Sequence, residues 1–196
     1  PKYVRFVKEG NYDAAIAVIR EKAPFPHALG LICTQNCING CKRKDVSDPT
    51  SIRAIKRYAA EHDTGSYWKG KGKQLPDTGK KVCVVGAGPC GLTAAYYLRK
   101  QGHDVTVKEA LPTAGGMMSY GIPSYRLPRE ATAEEIKVIA DQGVKIEVNS
   151  RVEKPVELLK EYDAVLMAIG NHKGVTLPIK GRHLPEVLVN ITFLRQ

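Results

Sequence analysis

Residues 81–98 read KVCVVGAGPCGLTAAYYL, an apolar run, then a glycine-rich turn, then a segment whose apolar residues recur with helical spacing. Gly86, Gly88 and Gly91 form a GxGxxG pattern directly after the predicted strand. In such a unit the first glycine allows a tight turn, the second lets the backbone approach a pyrophosphate, and the third lets helix and strand pack closely. The phosphates would lie over the helix N-terminus, where unpaired N–H groups attract anions. The stretch predicts a dinucleotide-binding turn.

The next predicted strand ends in an acid. Residues 103–109 read HDVTVKE, so Glu109 lies where a ribose-binding acid is expected, roughly 20 residues after the glycines. An acid there favours an adenosine ribose without a 2′-phosphate, which indicates FAD or NAD rather than NADP. The alternative is a tight strand–helix turn without a ligand, with Glu109 as a solvated carboxylate. The occurrence of the glycine pattern and the acid together argues against it. The motif alone does not separate FAD from NAD.

The second half of the chain alternates short apolar runs with helical segments. Because strands alternating with helices form a mainly parallel sheet, we expect an α/β fold with ligands at the carboxyl ends of its strands. The predicted strands are 82–85, 105–109, 144–148 and a buried strand at 162–169, and the predicted helices are 89–101 and 130–142.

The first 62 residues predict a small helical module. One helix follows Asn11 and is ended by Pro24 and Pro26, and another follows Ser51. Residues 63–79 are rich in glycine and lysine, including the run KGKGK at 69–73, and predict a solvated linker. The predicted organisation is a module at 1–62, a linker at 63–79 and a Rossmann-type domain at 80–196.

Composition excludes several classes of protein. The chain has 196 residues, a net charge of +10 and 43% hydrophobic residues. It contains no stretch near the roughly 20 apolar residues that a membrane span needs, so we expect a soluble, cytoplasmic protein with no membrane contact. The positive charge is dispersed and accompanies no recognition motif, so nucleic-acid binding is not expected. Five cysteines, an odd count, argue against a closed disulfide framework.

Residues 81–196 resemble the FAD-binding half of the glutamate synthase small-subunit family. The family is related to the flavin part of dihydropyrimidine dehydrogenase and to the flavin subunit of NADH-dependent ferredoxin:NADP oxidoreductase. The resemblance is carried by GAGP at 86–89, GGM at 115–117, YGIP at 120–123, YRLP at 125–128 and AIGNHKG at 168–174. It implies a Rossmann-type FAD-binding sheet.

The resemblance also implies a set of cofactor-binding residues. Glu109 would bind the adenosine ribose, Arg126 would pair with a cofactor phosphate or the flavin, and Val152 would meet the adenine through its backbone. The residues implied at the pyrophosphate are Gly86, Ala87, Gly88, Pro89, Cys90 and Gly91; those on the flavin side are Gly116 and Met117; and those closing over the dinucleotide are Ala168 and Gly170.

Cys33, Cys37 and Cys41 recur at every fourth residue, a spacing that on a helical turn brings thiolates towards one metal cluster. Thiolates beside a flavin favour iron–sulfur over zinc, because a flavin passes single electrons. Three cysteines are one short of the usual four, and reduced, buried thiols are the alternative. The resemblance extends here: in the relatives this ferredoxin-like module carries two [4Fe–4S] clusters, and the three cysteines match ligand positions divided between them.

The cysteine segment departs from the family pattern at several positions. No cysteine precedes Cys33, although the relatives have a further four-cysteine run upstream. Lys56 stands where some relatives use a non-cysteine ligand, and Leu29 stands at a position that is often cysteine. These departures leave the clusters short of ligands, and the alternative is a single cluster completed by another chain or by upstream residues.

The resemblance implies the FAD-binding component of an NAD(P)H-dependent, iron–sulfur-linked oxidoreductase, which passes electrons between NAD(P)H and clusters or a partner subunit. No second GxGxxG follows Gly170, so NAD(P)H would bind on a region outside this chain, either another subunit or the remainder of a longer polypeptide. The chain alone would be inactive, and no catalytic acid or base is predicted. The alternative is a non-catalytic electron-transfer or assembly subunit that only holds FAD.

Overall fold

A computed structural model describes residues 2–66 and 75–195. The α-helices of this part are α1 (Lys2–Lys8), α2 (Tyr12–Arg20), α3 (Pro26–Ile32), α4 (Ile52–Glu61), α5 (Pro89–Lys100), α6 (Met117–Tyr120), α7 (Arg129–Ala140) and α8 (Asn190–Leu194). The strands are β1 (Lys81–Val85), β2 (Asp104–Lys108), β3 (Lys145–Glu147) and β4 (Ala164–Met167). Short 3-10 turns cover Asn36–Ile38, Lys42–Asp45 and Pro155–Lys160.

The four strands form one parallel sheet in the order β3-β2-β1-β4. Residues 82–85 of β1 are buried, as expected for an apolar strand in the middle of a parallel sheet with helices packed on it. The last residue of β1, Val85, pairs with Lys108 of β2 and with Met167 of β4. Three strand ends therefore meet at one edge of the sheet, which is where open α/β sheets bind ligands.

Helix α5 packs on β1 and β2, α7 packs against α5, and the apolar faces of both helices belong to the core of the sheet. Leu92 and Tyr96 of α5 and Ile139 of α7 are fully buried in one cluster with β1 and β2. The same apolar cluster contains Phe25 and Ala28, which flank the start of α3. The first module and the sheet thus share one core.

The helical module has a smaller core of its own, formed by Ala15, Ile16, Ile19 and Ala59 from α2 and α4. α2 begins after Asn11, whose side chain accepts a hydrogen bond from the Ala14 N–H at 3.1 Å, so the predicted helix start is confirmed.

Two helices of this module are missing from the sequence prediction, α1 and α3. The sequence predicts that the helix after Asn11 continues until Pro24, but α2 already ends at Arg20 and Pro26 opens α3. Proline is favoured in the first turn of a helix, because the N–H that it lacks has no partner there.

The predicted buried strand at 162–169 is a four-residue strand, β4, and the prediction of burial is wrong. Leu166 and Met167 are exposed because β4 is an edge strand of the described sheet and is less covered by helices than β1. Of the predicted linker, residues 67–74, including the 69–73 lysine run, lie outside the described residues. Leu75 and Thr78 donate backbone hydrogen bonds to Lys100 and Gly102 at the end of α5. None of the helices in residues 2–66 and 75–195 is long and apolar enough to cross a bilayer.

Candidate functional site

A cavity of about 610 Å³ lies at the carboxyl edge of β1, β2 and β4. Its volume is in the range of small-molecule and cofactor sites. Most of the predicted cofactor-binding residues line it: Gly86, Gly88, Pro89, Cys90, Glu109, Gly116, Met117, Val152, Ala168 and Gly170. The structure therefore brings together residues that are up to 84 positions apart in the sequence (170 minus 86).

The turn after β1 is packed too tightly for side chains at two of its glycines. Gly86 has a φ of +108°, and a Cβ added there would lie 2.4 Å from the carbonyl oxygen of Ala168. A Cβ at Gly91 would lie 1.9 Å from the carbonyl oxygen of Gly86. Both glycines are required by the close approach of the turn to the end of β4 and to α5.

Gly88 differs from Gly86 and Gly91 because a Cβ added there would meet no clash. The nearest atom to a Cβ added there is the Gly116 Cα at 3.9 Å. Gly88 is the N-cap of α5, no side chain caps this helix, and Pro89 follows it. The first N–H groups of a twelve-residue helix are thus left for a ligand, and the positive end of the helix dipole favours an anion there.

Glu109 is buried at the end of β2 and ties two loops together. Its carboxylate accepts hydrogen bonds from the N–H groups of Ala87 at 2.7 Å and Leu111 at 2.9 Å. A carboxylate has about four lone-pair sites, so acceptor capacity remains on the side that lines the cavity. The sequence predicts a ribose ligand only, and the structure adds a role in holding the glycine turn.

The loop after β3 forms the wall beside Glu109. Asn149 has a φ of 52°, in the left-handed region, and its N–H donates to the Leu111 carbonyl at 3.1 Å. The Ser150 N–H donates to the Glu109 carbonyl at 2.7 Å. These bonds hold Ser150 and Val152 at the cavity.

Lys108 also lines the cavity and forms an ion pair with Glu147 of β3 at 2.6 Å. The hydrogen bond to Glu147 raises the pKa of Lys108. The lysine is therefore charged across the physiological range, and the carboxylate of Glu147 balances its charge.

Three predicted residues are not in the cavity wall. Ala87 is fully buried and gives its N–H to Glu109, and Gly91 lies beneath the turn. Arg126 is exposed and does not line the cavity, so its pairing with a cofactor stays a prediction. Sequence reasoning missed several lining residues that lie at or after strand ends or in the last segment: Lys108, Leu111, Ser150, Arg151, Lys173 and Arg195. Their proximity to the strand ends was the available signal for the first four.

The cysteine segment is not a helical turn. Cys33 follows α3, Gln35 has a φ of 62° that breaks the helix, and Cys37 and Cys41 lie in or beside separate 3-10 turns. The regular spacing therefore does not place the thiols on one helical face. Within residues 2–66 and 75–195, no three His, Cys, Asp or Glu side chains are grouped to hold a metal ion.

Cys33 and Cys41 nevertheless have polar surroundings. The Gln35 N–H donates to the Cys33 sulfur at 3.5 Å. Hydrogen bonds from the backbone N–H groups of Thr50 and Arg43 lower the pKa of Cys41. These hydrogen bonds stabilise the thiolate form of Cys41 relative to a free cysteine, but the described thiols do not by themselves fit a four-ligand cluster.

Residues 79–194 match the sequence profile of the pyridine nucleotide-disulphide oxidoreductase family. The chain belongs to this family. Residues 1–68 of this oxidoreductase chain match a second profile, dihydropyrimidine dehydrogenase domain II with a 4Fe-4S cluster. The fold class and family resemblance predicted from the sequence are thereby confirmed.

Relatives of the oxidoreductase chain include proteins with nicotinamide cofactors in their names. It is 38% identical to the NADP(+)-dependent formate dehydrogenase beta subunit of Moorella thermoacetica, over 92% of this chain and 29% of the relative. It is 37% identical to the NADPH-Fe(3+) oxidoreductase beta subunit of Geobacter sulfurreducens, over 92% and 28%. It is 30% identical to the NADH glutamate synthase of Saccharomyces cerevisiae, over 95% and 9%. The chain spans less than a third of these relatives.

A solved structure supports the same fold. FprA of Mycobacterium tuberculosis, in complex with NADPH, superimposes with a TM-score of 0.53 at 27% identity. The match covers 61% of this oxidoreductase chain and 28% of FprA.

Proposed function

We propose that this chain is the FAD-binding component of an NAD(P)H-dependent, iron–sulfur-linked oxidoreductase. In this proposal it passes electrons between NAD(P)H, bound on a region outside these 196 residues, and clusters or a partner subunit in the cytoplasm. The observation that carries the proposal is the meeting of three features at one cavity: the backbone of Gly88 in the cavity wall, the uncapped start of α5 and the buried carboxylate of Glu109.

The chain's own residues would bind and orient the dinucleotide. The pyrophosphate would lie over Gly88 and Pro89, where N–H groups of the residues after Pro89 at the start of α5 attract it. Glu109 would accept a hydrogen bond from a ribose hydroxyl with its remaining lone pairs. The adenine would lie beside Val152, and the flavin would extend towards Met117. Ala168 and Gly170, which follow β4, would close over the dinucleotide.

FAD accepts a hydride and releases electrons singly, which is the chemistry that the bound cofactor would supply. The protein would then hold the cofactor, exclude water from part of it and provide its polar and charged environment. Lys108 and its ion-pair partner Glu147 would lie at the adenosine end of the cavity. The proposal needs no acid or base from this chain.

The relatives support the redox role and the need for further protein. Two of them are named as beta subunits of NADP-linked enzymes, and the yeast relative is named glutamate synthase. We propose that clusters in the first module, if loaded, take their remaining ligands from another subunit or from residues outside this chain. Cys33, Cys37 and Cys41 would each supply one thiolate.

The test is a titration of the cofactor-free chain with FAD and, separately, with NAD. The proposal expects FAD to bind one per chain, with a change in flavin fluorescence, and to resist displacement by excess NAD. Tighter binding of NAD than of FAD, or no uptake of FAD by folded protein, would refute it.

A further inference from the structure

Glu135 of α7 is a buried carboxylate that reaches from the sheet module into the helical module. It is 2% exposed, and its two oxygens accept hydrogen bonds from the N–H groups of His27 at 2.6 Å and Ala28 at 3.0 Å. These N–H groups belong to the first turn of α3, which has Phe25 at its N-cap and no side-chain cap of its own. Glu135 therefore supplies, from more than 100 residues away, the cap that the local sequence lacks.

Apolar contacts and hydrogen bonds reinforce this attachment. Phe25 and Ala28 are buried in the core that they share with β1, β2 and α5. The hydroxyl of Tyr96 on α5 donates to the Arg20 carbonyl at the end of α2 at 3.3 Å. The start of α3 is thus held on the sheet module both by its apolar side and by its terminal N–H groups.

The charged groups around Glu135 come from three helices. Arg20 of α2 is buried and attracts the carboxylate, and Glu134 of α7 opposes its charge. His27 of α3 has its pKa lowered by burial and is therefore neutral at physiological pH. Burial raises the pKa of Glu135 to about 7, although the two N–H donors and Arg20 favour its charged form.

This attachment matters for function because α3 leads directly into the cysteine segment. The helix has seven residues, about 10 Å at 1.5 Å per residue, and Cys33 follows it directly. The Cys33 carbonyl accepts a hydrogen bond from Arg53 of α4 at 3.0 Å. α3 crosses α4 so closely that a Cβ on Gly30 would lie 2.7 Å from the Arg57 Cα. The short, tightly packed helix α3 thus connects Glu135 at its first turn with Cys33 at its end.

We propose that Glu135 is a positioning residue by which the dinucleotide-binding module fixes α3, and with it the cysteine segment 33–41, at a set distance from the cavity. The value of a fixed distance rests on the proposed function, since electron transfer between two sites depends on their separation. The attachment itself is a property of the folded chain and needs neither cofactor nor cluster.

The test compares amide hydrogen exchange in the whole chain and in the variants Glu135→Ala, Glu135→Gln and Glu134→Ala. Glu134 is the matched control, because it is an exposed acid on the same helix. In Glu135→Ala we expect amides from His27 to Cys33 to exchange at least about tenfold faster, with β1 and α5 unchanged, since about 1.4 kcal/mol corresponds to a factor of ten. Glu135→Gln retains one acceptor oxygen and should restore part of the protection. Glu134→Ala removes only a repulsion of the Glu135 charge, so its α3 amides should exchange no faster than those of the unaltered chain.

Equal exchange of α3 in Glu135→Ala and in the unaltered chain would overturn the proposal, as would an equal increase in β1, which would indicate general destabilisation. If Glu135→Ala does not fold, Glu135→Gln decides: faster exchange confined to α3 supports the role, and unchanged exchange refutes it. FAD titration of the unaltered chain separates the two ideas. Failure to bind FAD would remove the proposed function and leave the exchange result standing.

Discussion

Replacing Glu109 with glutamine tests the site at its most buried polar group. The carboxylate accepts hydrogen bonds from two N–H groups, of Ala87 and Leu111. Glutamine keeps the shape but has one acceptor oxygen, so its NH₂ group would face one of these N–H donors. Loss of one hydrogen bond to a charged group costs about 1.5–3 kcal/mol, and we expect the free energy of unfolding of the cofactor-free chain to fall by that amount.

The proposed bond to the ribose adds a separate effect on affinity. Loss of one charge-assisted bond to the ligand would raise the dissociation constant of FAD about 10- to 100-fold, since about 1.4 kcal/mol corresponds to a factor of ten. Chemical denaturation without FAD measures the first effect, and fluorescence titration at a temperature where both proteins are folded measures the second.

The control is Asp104→Asn, which removes a charge from an exposed acid at the opposite end of the same strand. It should leave FAD affinity unchanged. Folded Glu109→Gln that binds FAD within about threefold of the unaltered chain would show that Glu109 is a structural tie and not a ribose ligand.

The other predictions concern the turn, the loop after β3 and the buried acid of α7. Gly91→Ala should prevent FAD uptake and lower the melting temperature, because its methyl group would collide with the Gly86 carbonyl. Gly88→Ala should fold normally and bind FAD more weakly. Melting curves and FAD titrations distinguish the two variants. Asn149→Gly should preserve FAD affinity and Asn149→Val should reduce it, since a β-branched residue disfavours the left-handed conformation; equal affinities would contradict this. Because the pKa of Glu135 is raised from 4.5 to about 7, the folded state binds more protons, so the free energy of unfolding should fall by about 3 kcal/mol as pH rises from about 4.5 to 7. Urea unfolding at several pH values should show this slope, and Glu135→Gln should flatten it.

Much of the sheet module could be predicted from the sequence because its signals are local. The apolar run before Gly86 and the helical spacing after it correspond to β1 and α5, and the acid at the end of the next run is the buried Glu109. These features depend on neighbours along the chain. They therefore appear in the pattern of residues before any tertiary contact is known.

The missing elements depend on contacts between distant residues. α3 is short, its N-cap side chain makes no capping bond, and its start is stabilised by Glu135 from the other module, so no local signal marks it. Glu109 also holds the glycine turn, because it accepts a hydrogen bond from the Ala87 N–H. The spacing of residues along the sequence does not reveal this contact. The even spacing of the cysteines suggests a helical turn, but the left-handed backbone at Gln35 redirects the chain.

The burial of Phe25 and Ala28 in the core of the sheet module bears on how this chain can be divided or recombined. The glycine-rich domain produced alone would have a hydrophobic hollow where the phenyl ring sits, and the first helices produced alone would present that ring to water. Fusing either half to an unrelated protein would therefore require redesign of the surface around Phe25 and Ala28, so the two halves are best expressed and engineered as one chain.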